Sequence, residues 1–505
     1  MKKYYIIILF FLILSNSFVF GDDVNGQLET IDGKQVLTIW GTHTERGYAN
    51  GYLMGEDILE VFNDYLLESV FMNSASDYEM ARSYFIANFD VEQKYYDEAD
   101  GIINGIEDSG LSIYSNTLGR DLDEIDFLVS NSILEIAVMM KLKDKIFSCS
   151  SLSSWGQSTQ QDPTLNGESI ITRNLDWTPH QTLLDNQVLI VNKPSESDEQ
   201  DWMSFSFAGL IGGLSAINEQ GVASFLNVGN NSSHPNPGPF HPIFFTVRNG
   251  IESADYNADG NCNAGDVAQA VEDKILLSDN IIHVVNKNNR DTTALVIECN
   301  NANGVAIRTM ADNTIISGDN LAATNHFRKL YSPIYCNRYN NIADSLDVST
   351  HITVDRSWDL LAGAAGVMSN IQTIQFIPFN GDIKWATSPY YGAPAYQQTP
   401  TNFDAEDLPS GNAVDPDPQT ADVKLYAYPN PAKETIKISY SNLNFSSDCS
   451  INIYDLKGRL VESVKFEPVN KNNKITLEID DYNSGVYFYK LDLEDSPVEK
   501  FSVVR

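Results

Sequence analysis

The sequence predicts an α+β protein, with a layered core of helices and short strands followed by a small all-β sandwich. Three observations carry this. Longer helical patterns such as Asp57-Ile58-Leu59-Glu60-Val61-Phe62 run from about Glu45 to Asp144, and at Cys149 the texture changes to short strands separated by turns. A second set of alternating strands begins near residue 425. At 505 residues the chain exceeds one ordinary core, and about 100 to 200 residues per domain implies roughly two or three domains.

Lys2 and Lys3 precede the apolar run Tyr4 to Leu14, and small or polar residues follow through Gly21, the layout of a secretory signal peptide over residues 1–21. That run is too short to span a membrane, and no later segment approaches ~18 uninterrupted apolar residues, so no transmembrane anchor is expected. Gln27 to Trp40 alternates as a strand pair around Asp32-Gly33, and residues 22–148 otherwise read as mostly helical. Strands are expected at Glu168 to Leu175, Gln187 to Val191 and Trp202 to Phe207. Two more, Leu214 to Ile217 and Val222 to Val228, are joined by the turn Asn218-Glu219-Gln220-Gly221. Helical pattern returns at Val267 to Leu277 and Ser357 to Ala365, within a core unit placed at 149–395.

Residues 396–424 hold several prolines, many acids and amides, and almost no apolar periodicity, so they read as an exposed linker. Beyond it, Ile436 to Tyr440, Cys449 to Tyr454, Ile475 to Ile479 and Val486 to Leu491 alternate with turns at Lys457-Gly458 and Ser484-Gly485, as a small β-sandwich requires. The phrases Tyr428-Pro429-Asn430-Pro431, Ile453-Tyr454-Asp455-Leu456-Lys457-Gly458 and Ser484-Gly485-Val486-Tyr487 in residues 425–505 resemble the carboxy-terminal sorting domain of type IX secretion substrates. That resemblance implies export through the outer membrane, the secretion machinery as a partner, a secreted or cell-surface location, and no part in chemistry. An unrelated carbohydrate-binding or adhesive sandwich is the alternative.

The formal net charge of -35 becomes more negative once Lys2 and Lys3 leave, so nucleic acid would be repelled over most of the surface. The five cysteines, Cys149, Cys262, Cys299, Cys336 and Cys449, are odd in number and nowhere paired at metal-ligand spacing, which excludes a disulfide framework. Cys149 alone has suggestive company. It opens the stretch CSSLSSWGQSTQQDPTLNGESIITRNLDW and is followed by a strand-borne Arg173-Asn174-Leu175-Asp176. A cysteine at a new amino terminus can use its own α-amine, with an ordinary pKa near ~8, as general base, so no histidine is needed. An arginine near the thiol lowers its pKa and a carboxylate near the amine orients it, whereas a plain strand-end ion pair is the non-catalytic reading of Arg173 and Asp176.

This stretch resembles the amino-terminal-nucleophile (Ntn) hydrolases of the penicillin acyltransferase and choloylglycine (bile-acid) hydrolase group, over roughly residues 40 to 395. The resemblance implies a four-layer αββα sandwich and self-cleavage between Ser148 and Cys149. Cys149 matches the nucleophile and Arg173 with Asp176 match the Arg-x-x-Asp behind it. Asn227, closing the hairpin Ala216-Ile217-Asn218-Glu219-Gln220-Gly221-Val222-Ala223-Ser224-Phe225-Leu226-Asn227, is the implied oxyanion donor, although it also fits a plain turn. Asn325 in Thr324-Asn325-His326-Phe327 matches the second family asparagine, and Arg338 in Cys336-Asn337-Arg338-Tyr339 falls near a family Ser-x-x-Arg, with cysteine near the serine's place and a different spacing. His326 reads as a packing or hydrogen-bonded histidine. Gly41-Thr42-His43-Thr44-Glu45-Arg46-Gly47-Tyr48-Ala49-Asn50-Gly51 looks like the family's opening segment; its glycines permit close packing, and His43 and Arg46 read as an exposed strand–helix corner.

A separate signal spans 255–266. Asp255, Asn257, Asp259, Asn263 and Asp266 stand at positions 1, 3, 5, 9 and 12 with Gly260 at 6 and Asn261 at 7, the spacing by which a twelve-residue loop wraps calcium. It resembles a dockerin half-repeat, but one copy implies a structural calcium loop inserted in the core; an acidic surface turn without metal is the alternative. No organic cofactor is expected. The expected function is an exported hydrolase of linear N-acyl amides, its substrate a small or lipid-like molecule. An acyltransferase, a lipid acyl hydrolase, or an inactive calcium-stabilised surface-binding protein are the rivals.

Overall fold

A computed structural model describes residues 24–140, 147–229, 234–287, 293–405, 424–428, 432–433, 435–441, 449–466, 473–492 and 498–504. The expected signal segment 1–21, the carboxyl end of the expected helical region at 141–144, most of the expected linker, and residues 429–431 of the first sorting-domain phrase lie outside these.

Two sheets dominate the first 405 residues. The larger has nine strands, in the order Gly26–Ile31, Lys34–Gly41, Gln187–Pro194, Trp202–Phe207, Ser215–Asn218, Ala223–Val228, Asn280–Val285, Ala294–Asn300 and Gly304–Arg308. The smaller has six, in the order Asn320–Ala323, Phe147–Ser154, Ile170–Trp177, Asn370–Phe376, Asp382–Thr387 and Thr401–Asp404. Neighbours are antiparallel except Lys34–Gly41 with Gln187–Pro194. The amino-terminal hairpin thus belongs to the same sheet as strands beyond Cys149. Among the strands the sequence left unread, Asn280–Val285, Ala294–Asn300 and Asn370–Phe376 are buried along their whole length. Fully covered strands lose the polar alternation that marks a half-buried one.

The two sheets pack face to face through Leu189, Phe205, Phe225 and Ile281 on one side and Ile171, Leu321, Ile374 and Trp385 on the other. On the outer face of the nine-stranded sheet, Leu37, Ile190, Ile282 and Ile297 meet Ile58, Ile102, Phe245 and Val267 of the helices His43–Glu60, Gln93–Asp108, Ile243–Glu252 and Ala264–Glu272. On the outer face of the six-stranded sheet, Leu152 and Ala322 meet Ile342 and Leu361 of Asn337–Val348 and Val354–Ala365. This is an α+β architecture with its core in three sandwiched seams.

One boundary needs correction. Thr401–Asp404, inside the span read as linker, forms the edge strand of the six-stranded sheet, with Phe403 opposite Ile383. A four-residue strand carries too little alternation to stand out from an acidic flank. After residue 423 the chain forms a three-stranded sheet (Lys424–Tyr428, Thr435–Ser441, Asn473–Glu478) and a four-stranded sheet (Leu460–Phe466, Cys449–Tyr454, Gly485–Leu491, Glu499–Val503) around Ile436, Ile451, Leu477 and Phe501.

The helices His43–Glu60 and Gln93–Asp108 touch backbone to backbone, which sequence spacing already permitted: Gly47 and Gly51 face Gly101 and Gly105. A Cβ on Gly51 would lie 2.1 Å from the Ile102 carbonyl oxygen, and one on Gly105 would lie 2.1 Å from that of Tyr48. Gly363, inside Val354–Ala365, meets nothing within 4 Å. Gly51→Ala should therefore lower unfolding stability by about 1–3 kcal/mol or more through overpacking. Gly363→Ala should raise it by about 0.5–1 kcal/mol through helix propensity. Urea denaturation of both variants checks the contrast; equal effects would place the helix pair further apart.

Candidate active site

Strand alternation sets the site. On Phe147–Ser154, Cys149, Ser151 and Ser153 share one face, and the antiparallel register puts Cys149 opposite Leu175, Ser151 opposite Arg173 and Ser148 opposite Asp176. Arg173 is fully buried. Its guanidinium donates to Ser215 Oγ at 2.9 Å and to the Leu226 carbonyl at 2.8 Å, both on the nine-stranded sheet, and its Nη2 lies 3.7 Å from Cys149 Sγ. Burial pushes the Cys149 thiol above its ordinary pKa, and Arg173 opposes this only in part, so the thiol form prevails.

Asp176 is buried as well. Loss of solvent pushes its carboxyl up to about 7, with Arg338, Asn370 and Arg173 pulling the other way. Its Oδ1 accepts from Asn370 Nδ2 at 3.1 Å, while Oδ2, among the described residues, has no hydrogen-bond partner and faces Arg338 Nη1 at 3.6 Å.

Asn325 and Arg338 close over Cys149. The Cys149 backbone N–H donates to Asn325 Oδ1 at 2.8 Å, and Asn325 Nδ2 donates to the Val228 carbonyl at 2.8 Å. Arg338, on the first turn of Asn337–Val348, donates to the Cys149 carbonyl at 2.5 Å and to Asn325 Oδ1 at 2.6 Å. The loop that carries Asn325 is pinned by the buried Glu298, whose carboxylate accepts the N–H groups of Arg328, Lys329 and Leu330 and the guanidinium of Arg308. Asn227 reaches the same place from the other sheet and donates through Nδ2 to Ser151 Oγ at 3.5 Å. The fold thus brings together Cys149, Arg173, Asp176, Asn325 and Arg338, and sets Asn227 against Ser151.

Sequence reasoning missed several neighbours. Asn370, from a strand nearly two hundred residues away, carried no signal. Cys336, noted only as a misplaced cysteine, lies at the head of the Arg338 helix with Thr324 Oγ1 3.6 Å from its sulfur. Burial raises the Cys336 thiol, yet hydrogen bonds from His326, the Tyr339 N–H and Thr324 outweigh it and bring the pKa down to about 6. A narrow apolar slot of about 50 Å³ is walled by Phe62, Tyr65, Phe127, Trp177, Phe207 and Phe244, among others. Trp177, which shares its strand face with Leu175 opposite Cys149, donates to Tyr65 Oη at 2.7 Å.

His43 and Arg46 are not the exposed corner that the sequence suggested. His43 is 5% and Arg46 0% exposed. His43 Nδ1 meets Glu98 at 2.8 Å and Nε2 meets Glu199 at 2.9 Å; Arg46 bonds Glu196 and Glu199, and Arg248 bonds Glu98 and Glu252. Charges from segments more than a hundred residues apart compensate one another, which is what allows their burial. His43, Glu196 and Glu199 lie close enough to share a cation, but Arg46 and Lys94 already neutralise those carboxylates.

The 255–266 loop is tightly self-bonded. Asp255 accepts from the N–H groups of Asp259 and Gly260, Asn257 from Asp259, Asp259 from Asn261, and Asp266 from Asn257 and Asn263. Ala258 at φ 57° and Gly260 at φ 86° take the left-handed conformation that the sharp turn needs. The thiol of Cys262 accepts from Gln200 and Asn218 and ties the loop to the nine-stranded sheet.

Residues 426–505 match the family model of the secretion system C-terminal sorting domain. This end of the chain is thus a type IX sorting domain: it implies interaction with the secretion machinery, and the protein is exported to the cell surface or secreted. Among the described residues no helix is long and apolar enough to cross a membrane. No curated protein matches the chain. Among solved structures, the N-acylethanolamine-hydrolyzing acid amidase ortholog of Caenorhabditis elegans is 14% identical with a TM-score of 0.35, covering 50% of this chain and 100% of its own. A mutant of the conjugated bile acid hydrolase from Clostridium perfringens is 10% identical with a TM-score of 0.34, covering 50% and 92%. Dimeric latent PorU from Porphyromonas gingivalis is 21% identical with a TM-score of 0.15, covering 26% and 13%. Likenesses this loose assign no activity to this chain.

The buried charge seam has a pH signature. Burial lowers the His43 pKa, but hydrogen bonds to Glu199 and Glu98 more than reverse this, so it ends above 6.5. A raised histidine contributes stability that is present below its unfolded value and lost as pH rises through its folded one. Glu199, held down to about 2 against an ordinary 4.5, contributes in the opposite sense and is lost only in acid. Urea midpoints should therefore decline as pH rises above about 6.5, and His43→Gln should flatten that decline. Parallel profiles for the two proteins would remove His43 charge from the account.

Proposed function

We propose that the protein is an exported cysteine Ntn hydrolase that cleaves linear N-acyl amides after cutting its own chain between Ser148 and Cys149. The observation that carries this reading is the set of groups around one residue. The Cys149 thiol lies against a buried Arg173, its backbone nitrogen is held by Asn325, and the carboxylate opposite residue 148, Asp176, has an oxygen with no hydrogen-bond partner. A buried carboxylate raised to about 7 is poorly satisfied, and a positive group formed beside it would stabilise its charged form. Breaking the Ser148–Cys149 bond creates such a group, the α-amine of Cys149.

In the proposed cut, Cys149 Sγ adds to the Ser148 carbonyl carbon and the carbon–nitrogen bond breaks. The freed amine keeps the thiol proton, and water then splits the thioester to a Ser148 carboxylate and a free thiol. In turnover the α-amine takes the thiol proton, sulfur attacks the substrate acyl carbon, and the amine passes that proton to the leaving nitrogen. Water, deprotonated by the same amine, releases the acid. Asn227 is the proposed donor to the tetrahedral oxyanion, Arg173 and Arg338 supply positive charge, and Asp176 orients the amine. The four-layer Ntn sandwich is the matching reading of the layer order described above. Trp177 lies two residues along the strand from Leu175, about 7 Å, so the aromatic slot is within reach of a substrate at Cys149 and favours an apolar acyl group.

Purified full-length protein should appear as two fragments, the larger beginning Cys-Ser-Ser, by intact mass and amino-terminal analysis. Cys149→Ala should stay uncut and inactive, and Cys149→Ser should cut slowly because a hydroxyl is the poorer nucleophile near neutral pH. An uncut wild-type chain that hydrolyses N-acyl amides would exclude the amine as base.

We also propose that Asp255, Asn257, Asp259, Asn261, Asn263 and Asp266 hold a structural calcium. The donor set is all oxygen, and burial together with Asp255 pushes the Asp266 carboxyl up, a repulsion that a hard cation would relieve. A cation bound only to the folded state must raise the unfolding midpoint. Calcium should raise it and chelator lower it in wild type, with Asp259→Ala indifferent to both; an unmoved midpoint and no calcium by elemental analysis would refute the site.

A further inference from the structure

We infer that His283 is a positioning residue for the reaction proposed above, acting through Ser151 to hold the Asn227 amide with its nitrogen toward the tetrahedral intermediate. The inference rests on that reading of Cys149 and Asn227. His283 is buried between the two sheets on Asn280–Val285, and its ring spans two serines of the nucleophile strand: Nδ1 lies 2.8 Å from Ser151 Oγ and Nε2 lies 2.8 Å from Ser153 Oγ. Ser151 and Ser153 continue the face that carries Cys149, so the imidazole braces this strand from the opposite sheet.

The order of protons along this chain follows from its far end. Ser153 Oγ also lies 3.4 Å from the Leu321 carbonyl, which only accepts; with the Ser153 hydroxyl donating there, Ser153 Oγ accepts from His283 Nε2–H, and this is the proton order we infer. The neutral ring then has a bare Nδ1, to which the Ser151 hydroxyl donates. Ser151 Oγ is left to accept, and its donor is Asn227 Nδ2. One amide proton of Asn227 is thereby fixed on Ser151, and the amide is held against turning its oxygen toward developing negative charge. Among the described residues, Asn227 Oδ1 has no partner of its own that would fix the orientation. Burial, with Arg308 adding to it, pushes the ring pKa down to about 3, so the neutral form on which this order depends persists across the working range.

The test joins a spectroscopic readout to kinetics on full-length protein. Nitrogen-15 NMR of His283 should give the neutral Nε2–H tautomer without titration between about pH 5 and 9; the Nδ1–H tautomer, or titration in this range, overturns the inference. Ser151→Ala should lower kcat about tenfold, the rate equivalent of one neutral hydrogen bond, with KM little changed. Asn227→Ala should cost about 10² to 10³. Adding Ser151→Ala to Asn227→Ala should cost nothing further, because the amide it positions is gone. An equal loss in both backgrounds would make Ser151 merely structural and overturn the inference. His283→Gln, which keeps one donor and one acceptor, should lose less kcat than His283→Leu if both fold; equal losses count against the relay. A cut wild-type chain with no turnover of any N-acyl amide overturns the proposed function and the positioning role with it, while the tautomer would still report the proton order.

Discussion

The register between Phe147–Ser154 and Ile170–Trp177 is the constraint on which everything else in this protein depends. Because side chains alternate, a slip of one residue would send Cys149 to the helix-covered face and bring Ser148 and Ser150 inward. The register is held from both sides. Thr172 Oγ1 bonds Ser357 on the outer face at 2.7 Å, and Arg173 reaches across to Ser215 and the Leu226 carbonyl on the inner one. A guanidinium so committed has little freedom, which makes its position beside the thiol a property of the sheet pair rather than of a mobile side chain.

Two of the buried polar clusters follow different logic. Around Cys149 the groups are incompletely satisfied: among the described residues, Asp176 Oδ2, Asn227 Oδ1 and Arg173 Nε lack hydrogen-bond partners, and the carboxyl of Asp176 is displaced far from its ordinary range. Unfilled buried polar atoms are costly, and such strain clusters at functional sites. Around His43 most of the charges are paired. Arg248 lies over the rings of Tyr95 and Trp202 while bonding Glu98 and Glu252, so its positive charge is met on every side. That seam joins the helices before residue 148 to the Glu196 and Glu199 loop and to the helix Ile243–Glu252 after it. Together with the shared nine-stranded sheet, it gives the two parts a reason to stay together if the chain is cut.

The aromatic slot follows the same division. Phe62, Tyr65 and Phe127 come from before Cys149, and Trp177, Phe207 and Phe244 from after it. A proposed acyl-binding wall built from both parts needs both.

Much of the local structure could be read in the sequence by itself. The alternation around Asp32-Gly33, the hairpin through Asn218-Glu219-Gln220-Gly221 and the glycines of the first helix appear where their short-range signals put them, because turn chemistry and close approach are local properties. The sorting-domain motifs were legible because they are ordered phrases. Arg173 and Asp176 were picked out as companions of Cys149, but sequence could not say that Arg338 would bond the Cys149 carbonyl or that Asn370 would hold Asp176, since those contacts cross 189 and 194 residues. The same separation hid the His43 seam: an isolated histidine and arginine at a strand–helix corner belong in solvent until Glu98, Glu196 and Glu199 arrive to compensate them. What tertiary structure alone decided is which charges meet and in which proton order, because a hydrogen bond between distant strands is fixed by sheet packing and leaves no period in the sequence.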